Sequence, residues 1–278
     1  MFWRLHTAIF GDQLQEAYNF LISLGDRVQV VTGPSLTIET VPAIEPQVAL
    51  AMTTLQDARS QSGCFPGHCS PWLFYDEANY SVSKWLPGMD ASIPVLNKAG
   101  VWVPYGMLFN LSKELLRALQ SFDRKIFIKP DKGHKSFTGF SVFTERFHEE
   151  IHEHTGYHNL DPHVMCFLAR HQHIKEIEWR FWIVNRQVVA WAPYSWEADI
   201  PWIIAPERML SLARQVALNS WQADLAYVVD IIETESGGVF VNEINAASTS
   251  GVYSAPVEDL LSALRDIAHL EFSGELTL

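Results

Sequence analysis

The stretch AYVVDIIETESGGVFVNEIN, residues 226–245, decides the fold of this chain. Two runs rich in Val and Ile flank the turn sequence ESGG (235–238), and this arrangement predicts a β-hairpin. If the turn contains two or four residues, Asp230 and Glu243 face each other across the hairpin. Their Cβ atoms are then about 4.5–5.5 Å apart, and Asn245 points to the same face. Two carboxylates and an amide oxygen thus converge on one patch.

The facing carboxylates need a neutralising partner, because like charges opposite each other destabilise a sheet. A divalent cation neutralises them, and Mg²⁺ prefers oxygen ligands. We therefore expect Asp230, Glu243 and Asn245 to hold Mg²⁺. The alternative is a hairpin face that is exposed and simply acidic.

Composition narrows the class of protein. The chain has 278 residues, 48% of them apolar, and a formal net charge of −12, which predicts a globular protein of one to three subdomains. A chain this acidic repels phosphate backbones, so we expect no general nucleic-acid binding. Its apolar runs are too short to cross a bilayer, and we expect no signal peptide. Three cysteines fit a reducing cytoplasm, where we expect the protein, and an oligomer is compatible with the sequence.

Hydrophobic patterns predict intermixed strands and helices, so the expected fold class is α/β or α+β. We expect helices from about residue 14 to Gly25, over 47–58 and 112–119, and from Pro206 and Pro256. Besides the hairpin, we expect strands over 125–129, 139–143, 164–168, 178–184 and 187–191. The polar segment 145–163 is rich in histidine and is interpreted as a solvated connector.

The spacing of Asp230, Glu243 and Asn245 resembles the metal site of ATP-grasp enzymes. Other landmarks of that superfamily follow in the right order. IFIKP (126–130) resembles the strand whose lysine contacts the α- and β-phosphates, and KGHKSFTG (132–139) resembles the flexible loop that covers the phosphates. Strand 164–168 is placed like the hinge behind the adenine, and EWR (178–180) resembles the Glu-x-Arg strand that follows it.

Four short motifs resemble one clade within the superfamily, the phage and bacterial group named for one arginine and two lysines. These motifs are KSFTG (135–139), EWR (178–180), NEIN (242–245) and SGVY (250–253), and the resemblance covers about residues 85–270. The chain departs from many peptide-ligase relatives at Val228, where they carry an arginine two residues before the metal aspartate. Arg180 is then expected to take that role.

The resemblance implies an ATP-grasp fold with an N-terminal α/β subdomain (1–100), a central lid (101–170) and a metal-carrying C-terminal subdomain (171–278). It implies an ATP-dependent ligase that joins a carboxylate to an amine or thiol through an acyl phosphate, with ADP and phosphate released. The implied partners are ATP, Mg²⁺ and small-molecule or peptide carboxylates and amines. An ATP-grasp kinase and a nucleotide-binding protein without turnover are the alternatives.

The same resemblance assigns roles to individual residues. ATP is expected to contact Lys129, Lys135, Glu178 and Arg180, with Arg180 and Lys135 also catalytic, because positive charge offsets the charge on the phosphates. Trp72, Phe74 and Tyr75 are interpreted as candidates to line a substrate pocket.

A rival motif, HEEIH (148–152), matches the H-E-x-x-H pattern of zinc proteases. His148, His152 and His158 would bind Zn²⁺, and Glu149 would act as the general base of a hydrolase. Thr155 stands where the pattern needs glycine, and the surrounding segment is so rich in histidine that a chance match is easy. We therefore treat the zinc hydrolase as a remote alternative.

Overall fold

The computed structural model describes residues 1–32, 47–61, 69–131, 136–155, 160–195 and 199–276. Within these ranges strands and helices intermix, which confirms the mixed α/β class. No described helix is both long and apolar enough to span a bilayer. The strands are β1 (Phe2–His6), β2 (Arg27–Val31), β3 (Gln47–Met52), β4 (Cys69–Trp72), β5 (Val101–Pro104), β6 (Lys125–Pro130), β7 (Phe140–Phe143), β8 (Met165–Arg170), β9 (Glu178–Val184), β10 (Gln187–Tyr194), β11 (Ala226–Glu233) and β12 (Val239–Ala246). The helices are α1 (Thr7–Phe10), α2 (Leu14–Ser23), α3 (Leu55–Gln61), α4 (Val82–Gly88), α5 (Lys113–Leu119), α6 (Phe147–Thr155), α7 (Glu207–Ala217) and α8 (Val257–Phe272).

The described strands form three four-stranded sheets. The N-terminal sheet has the order β2-β1-β3-β4, and its strands are parallel. The central sheet has the order β5-β8-β6-β7, the C-terminal sheet has the order β10-β9-β11-β12, and both are antiparallel. The three segments expected as subdomains each contain one sheet, and the boundaries between them stay a proposal.

The helix predicted over 47–58 is wrong, because this segment contains β3 and then α3. Residues 48–52 are all buried, and β3 pairs with β1 on one side and β4 on the other. A parallel strand buried on both faces is a continuous apolar run, and so short a run does not distinguish a strand from a buried helix. α3 begins after Thr54, whose Oγ1 accepts a hydrogen bond from the Asp57 amide at 3.2 Å.

The hairpin of β11 and β12 forms as predicted, and Asp230 pairs directly with Glu243. The predicted even-length turn is wrong, because Glu233 pairs with Val239 and leaves the five residues 234–238 between them. The register shifts by one residue after Asp230, so that Asn242 is an extra residue in β12. This bulge offsets the odd turn, and the predicted pairing survives because two irregularities compensate.

Strand β11 is buried on both faces because each face packs against a different core. Tyr227 and Val229 belong to the core that contains α7, whereas Ala226 and Val228 belong to the core that contains α8 and the N-terminal sheet. Asp230 follows Val228 on the second face and is only 2% exposed. A carboxylate at this depth needs a partner of opposite charge or several hydrogen bonds.

Asp26, which precedes β2, links the N-terminal sheet to the last helix. Its carboxylate accepts hydrogen bonds from Trp3 Nε1 and from Arg265 Nε on α8, each at 3.0 Å. Burial acts to raise the pKa of the Asp26 carboxyl, but the hydrogen bonds from Arg265, the Met1 amino group and Trp3 outweigh it, and the pKa lies below its ordinary value. The fold therefore stabilises the charged form of Asp26.

Replacement of Asp26 by Asn should lower the free energy of unfolding at pH 7 by about 1–3 kcal/mol, because the charged hydrogen bonds from Arg265 are lost. A depressed folded-state pKa gives stability that is present above the unfolded-state pKa and lost as the pH falls through the folded-state pKa. The difference between variant and parent should therefore shrink below about pH 4. Urea unfolding as a function of pH measures it, and Asp266→Asn, an exposed site on the same helix as Arg265, is the control. A difference that is constant with pH contradicts this account.

Candidate active site

A cavity of about 580 Å³ lies where the central sheet, the C-terminal sheet and the segment after β12 meet. Six residues predicted from the sequence line it, namely Lys129, Glu178, Arg180, Asp230, Glu243 and Asn245. The structure thus brings these six side chains to one place. Lys135 lies outside the described residues, and its role stays a prediction.

The centre of the site is a row of three side chains across adjacent strands. Asp230 on β11 pairs with Arg180 on β9 and with Glu243 on β12. Arg180 Nε donates to Asp230 Oδ1 and Nη2 donates to Oδ2, both at 2.9 Å. This two-pronged contact is the strong form of an arginine–carboxylate pair, and it lies within the protein interior.

Arg180 changes one step of the sequence argument. The facing carboxylates were expected to need a metal for neutralisation, but Arg180 already neutralises Asp230. Burial acts to lower the pKa of the Arg180 guanidinium, whereas Asp230 raises it and prevails, so the pKa lies above its ordinary value. The stability of the acidic pair is therefore no evidence for a metal. The evidence for one is the chemistry of the oxygen donors on Asp230, Glu243 and Asn245.

Asn245 ties the two carboxylates together. Its Nδ2 donates to Asp230 Oδ2 at 3.0 Å and to Glu243 Oε2 at 3.1 Å. The carboxylate oxygens of Asp230 and Glu243 thus lie around the Asn245 amide on two neighbouring strands, and oxygen is what Mg²⁺ selects. Rotation of the Asn245 amide by half a turn would replace the N–H donors by its carbonyl oxygen, so the residues fit this cation.

Lys129 reaches the same row from the central sheet. Along β6 the residues alternate, so that Ile126 and Ile128 enter the core of the central sheet while Lys129 faces the cavity. The Nζ of Lys129 lies 3.9 Å from Glu243 Oε1 and 5.4 Å from the centre of the Trp85 ring. The lysine thus lines the cavity beside the carboxylate of Glu243.

Glu178 is two residues before Arg180 and borders the cavity from the same face of β9. Its Oε2 accepts hydrogen bonds from the Tyr194 hydroxyl at 2.8 Å and from Asn242 Nδ2 at 3.1 Å. Burial, followed by repulsion from Asp230, raises the pKa of the Glu178 carboxyl above its ordinary value. Asn242, the residue that the bulge adds to β12, is thereby directed to the cavity.

Three residues near the site were missed by the sequence analysis. Tyr194 and Tyr253 stack with ring centres 4.8 Å apart, and the Arg180 guanidinium carbon lies 5.0 Å and 5.2 Å from them. Tyr194 pairs with Glu178 across β9 and β10, so a longer β10 in the prediction would have revealed it. Asn97 borders the cavity, and within the described structure its buried Oδ1 has no hydrogen-bond partner. Such an oxygen can accept a hydrogen bond from a ligand.

The aromatic residues proposed for a substrate pocket are only partly at the cavity. Tyr75 borders it, whereas Trp72 and Phe74 are each 1% exposed and pack in hydrophobic cores. Trp72 stacks on Phe2 with ring centres 6.3 Å apart. Large aromatic side chains stabilise cores by burial, which explains why their presence in a sequence does not identify a pocket.

The histidine-rich segment begins with a helix and is not a plain connector. Its apolar side is a narrow stripe of residues four apart, Phe147, Ile151 and Thr155, all buried. Glu150 on the same helix accepts a hydrogen bond from the Phe143 amide at 2.8 Å. Because the polar residues outnumber the apolar ones, the pattern resembled a solvated segment.

The histidines of the rival zinc motif lie on the outer side of α6. His148 and His152 are both exposed and one helical turn apart. His158 lies outside the described residues, so the proposed three-histidine set is not described in full. Among described residues, the only three His, Cys, Asp or Glu side chains close enough together to bind one metal ion lie elsewhere. They are Asp123, His171 and His173.

Comparison with solved structures identifies the fold as that of ATP-grasp proteins. A RimK domain protein ATP-grasp from Sphaerobacter thermophilus DSM 20745 matches with a TM-score of 0.60 and 13% identity, over 98% of each chain. D-cycloserine synthetase DcsG matches with a TM-score of 0.60 and 13% identity, over 96% of this chain and 100% of that chain. ATP-grasp ligase PsnB, complexed with a phosphomimetic variant of minimal precursor, Mg and ADP, matches with a TM-score of 0.51 and 12% identity, over 89% of this chain and 90% of that chain.

The family follows from the sequence match. Residues 85–264 match the ATP-grasp domain of family 3 in the clade named for one arginine and two lysines, and the chain belongs to this family. The resemblance inferred from the motifs is thereby confirmed. No curated protein matches this chain. HEEIH (148–152) lies inside the matched span and is therefore part of an ATP-grasp domain, which argues against the zinc hydrolase.

The Arg180–Asp230 pair should be strongly coupled, because each charge is buried and satisfies the other. Arg180→Met should lower the free energy of unfolding by about 3–5 kcal/mol, since it leaves Asp230 buried without its partner. Arg180→Met combined with Asp230→Asn should cost less than the two single changes added together, with a coupling of about 2 kcal/mol or more. Urea unfolding of the four proteins measures this cycle, and additive costs would show that the pair is not coupled.

Proposed function

We propose that this chain is an ATP-dependent ligase that joins a carboxylate to an amine or a thiol and releases ADP and phosphate. The observation that supports it best is that one cavity holds the cations Lys129 and Arg180 beside the oxygen donors of Glu243 and Asn245. Phosphoryl transfer needs this combination of positive charge and metal ligands. Among proteins with this fold, DcsG is a synthetase and PsnB a ligase, which supports the reaction class.

The charges of the cavity wall indicate how ATP would bind. The described lining carries four carboxyl groups, Asp131, Glu178, Asp230 and Glu243, against two permanent cations, Lys129 and Arg180. Free ATP is an anion, and this wall would repel it. We infer that ATP binds together with Mg²⁺, and that Lys129 and Lys135 contact its phosphates while Glu178 contributes to the nucleotide site.

Asp230, Glu243 and Asn245 would hold the magnesium ion. Mg²⁺ there would supply positive charge that offsets charge building up on the transferred phosphoryl group. Asp230 is fixed by Arg180 and Asn245, so this ligand is already oriented before any ion arrives. Glu243 is the more accessible donor, since its side chain is 28% exposed and that of Asp230 is 2% exposed.

Arg180 would stabilise negative charge at the reacting centre. Its guanidinium is held by Asp230, by the two stacked tyrosines and by the Gly251 carbonyl, which it contacts at 3.4 Å. A fixed cation needs no reorganisation when charge develops, and this is the source of most electrostatic catalysis. Arg180 thus takes the place of the arginine that many peptide-ligase relatives carry where this chain has Val228.

The proposed reaction has two steps. A carboxylate oxygen of the first substrate attacks the γ-phosphorus, the bond from that phosphorus to ADP breaks, and an acyl phosphate forms. The amine nitrogen or thiol sulfur of the second substrate then attacks the acyl carbon, the bond to phosphate breaks, and the attacking group loses its proton. Small molecules and peptides are both candidate substrates. The three-subdomain division and a cytoplasmic location, where ATP and Mg²⁺ are abundant, belong to this proposal.

Product analysis distinguishes the ligase from the kinase alternative. A ligase releases inorganic phosphate and forms an amide or thioester, whereas a kinase leaves the phosphate on its substrate. The chain would be incubated with Mg²⁺, ATP and a panel of amino acids and short peptides, and the products would be analysed by mass spectrometry. Phosphorylated product without condensation would overturn the ligase and leave the nucleotide site intact.

Glu243→Gln should reduce ATP turnover about 100-fold or more, because it removes a charged metal ligand while keeping the shape. The fold should be little affected, with a change of less than about 1 kcal/mol in the free energy of unfolding, since Glu243 is partly exposed and Arg180 neutralises Asp230 whatever the charge at position 243. Glu235→Gln, on the exposed turn of the same hairpin, is the matched control. Parent-like turnover by Glu243→Gln would show that the hairpin is not the metal site.

Lys129→Ala should raise the Kd for Mg-ATP about 10- to 100-fold, because a charged hydrogen bond to phosphate is lost. Lys125→Ala, on the same face of β6 but away from the cavity, should leave the Kd unchanged. Isothermal titration calorimetry with a non-hydrolysable ATP analogue measures both and requires no knowledge of the other substrates. Equal effects of the two changes would exclude a specific phosphate contact at Lys129.

A further inference from the structure

We propose that Asp123, His171 and His173 form a binding site for one transition-metal ion, with Zn²⁺ the best fit. One ligand atom from each residue lies within 4.8 Å of the others. His173 Nε2 is 3.4 Å from Asp123 Oδ2, and the two imidazole rings are 4.9 Å apart between centres and nearly perpendicular. Donors bound tetrahedrally to Zn²⁺ are about 3.3 Å apart, so His173 and Asp123 are already at this separation and rotation of the His171 side chain would complete the set.

The backbone of the central sheet produces this cluster. β6 and β8 are antiparallel, and Ile126 pairs with Arg170 at the end of β8. Asp123 lies in the turn of residues 121–124 that leads into β6, and His173 lies three residues beyond the end of β8. His171 and His173 are two residues apart in the segment that follows β8, and their rings contact each other. The pairing of β6 with β8 therefore brings the turn before β6 next to the segment after β8.

Two of the three ligands have partners that would orient them. Ser141 Oγ lies 2.8 Å from His171 Nδ1, and Ser121 Oγ donates a hydrogen bond to Asp123 Oδ1. Metal-binding histidines usually donate their second ring N–H to such a partner, and ligating carboxylates are usually hydrogen-bonded as well. A simple surface ion pair between His173 and Asp123 would need neither serine.

The chemistry of the donors selects the ion. Two imidazoles and one carboxylate are a typical ligand set for Zn²⁺ and leave a fourth position for water, whereas Mg²⁺ prefers oxygen ligands alone. The amino group of Lys125, 3.8 Å from Asp123 Oδ2, would compete with the metal. The same amino group also lies over the Phe143 ring, 4.7 Å from its centre, where it has a second favourable contact when a metal takes its place.

The site would be separate from the proposed magnesium ligands but next to the same cavity. His171 borders the cavity, whereas His173 is exposed. The two sites differ in donor type, so one protein could hold Mg²⁺ at Asp230 and Glu243 and Zn²⁺ here. The inference does not depend on the ligase reaction, because it concerns only these side chains.

The experiment titrates ZnCl2 into the full chain by calorimetry, in millimolar Mg²⁺ to saturate oxygen-only sites, and Co²⁺ absorption spectra report nitrogen coordination. We expect one Zn²⁺ per chain. Asp123→Asn and His173→Ala should each weaken binding about 10-fold or more, and Ser141→Ala about 10-fold, as for other residues that orient a metal ligand. His173→Gln serves if His173→Ala does not fold, because this side chain is 55% exposed.

The matched control uses His148 and His152 on α6, an exposed pair that could also bind Zn²⁺. His152→Ala removes one member of the exposed pair on α6 and should leave the affinity unchanged. Loss of binding in His152→Ala with parent-like binding in His173→Ala would overturn the proposal and assign the metal to α6. A Kd for Zn²⁺ above about 100 μM would overturn the proposal as well, because built zinc sites in proteins bind far more tightly.

Discussion

The buried pair of Arg180 and Asp230 is the interaction on which the rest of the site depends. Asp230 continues an apolar face of β11 and is almost completely removed from water, so without a partner its charge would be costly. Arg180 stands opposite it on β9 and satisfies both carboxylate oxygens. Through Asn245 the same carboxylate is tied to Glu243, and through the guanidinium it is tied to Tyr194 and Tyr253. One ion pair thus contacts or orients side chains from the four strands of the C-terminal sheet and from the segment that follows β12.

The sequence predicted the local parts of this arrangement. The two runs rich in Val and Ile and the turn residues between them predicted the hairpin, and with it the shared face of Asp230, Glu243 and Asn245. The pairing was correct although the turn was not, because the bulge at Asn242 compensates for an odd-length turn. The composition of the turn did not specify its length, and nothing in the sequence of β12 revealed the bulge.

The order of the strands within each sheet could not be predicted from the sequence. β9 and β11 are neighbours in the sheet although β10 and α7 separate them along the chain, and no pattern within either strand specifies that order. The contact of Arg180 with Asp230, and hence the neutralisation of the acidic pair, followed from this order. The same limit explains β3, a short apolar run whose central place between β1 and β4 no local pattern specifies, and α6, whose apolar stripe is too narrow to reveal a helix.

The charged groups of the cavity wall fall into two sets, those that satisfy each other and those that could attract a phosphate. On the side of the C-terminal sheet, Arg180 and Asp230 satisfy each other, so this pair adds no net charge for a triphosphate. Glu243 lies near Lys129, and the described wall as a whole is acidic. Under the proposed function, positive charge for ATP would come from a metal ion and from the lysines of the basic segment 129–135, in a chain of net charge −12. The site would therefore bind ATP poorly without a metal, and the fixed pair would serve orientation rather than attraction.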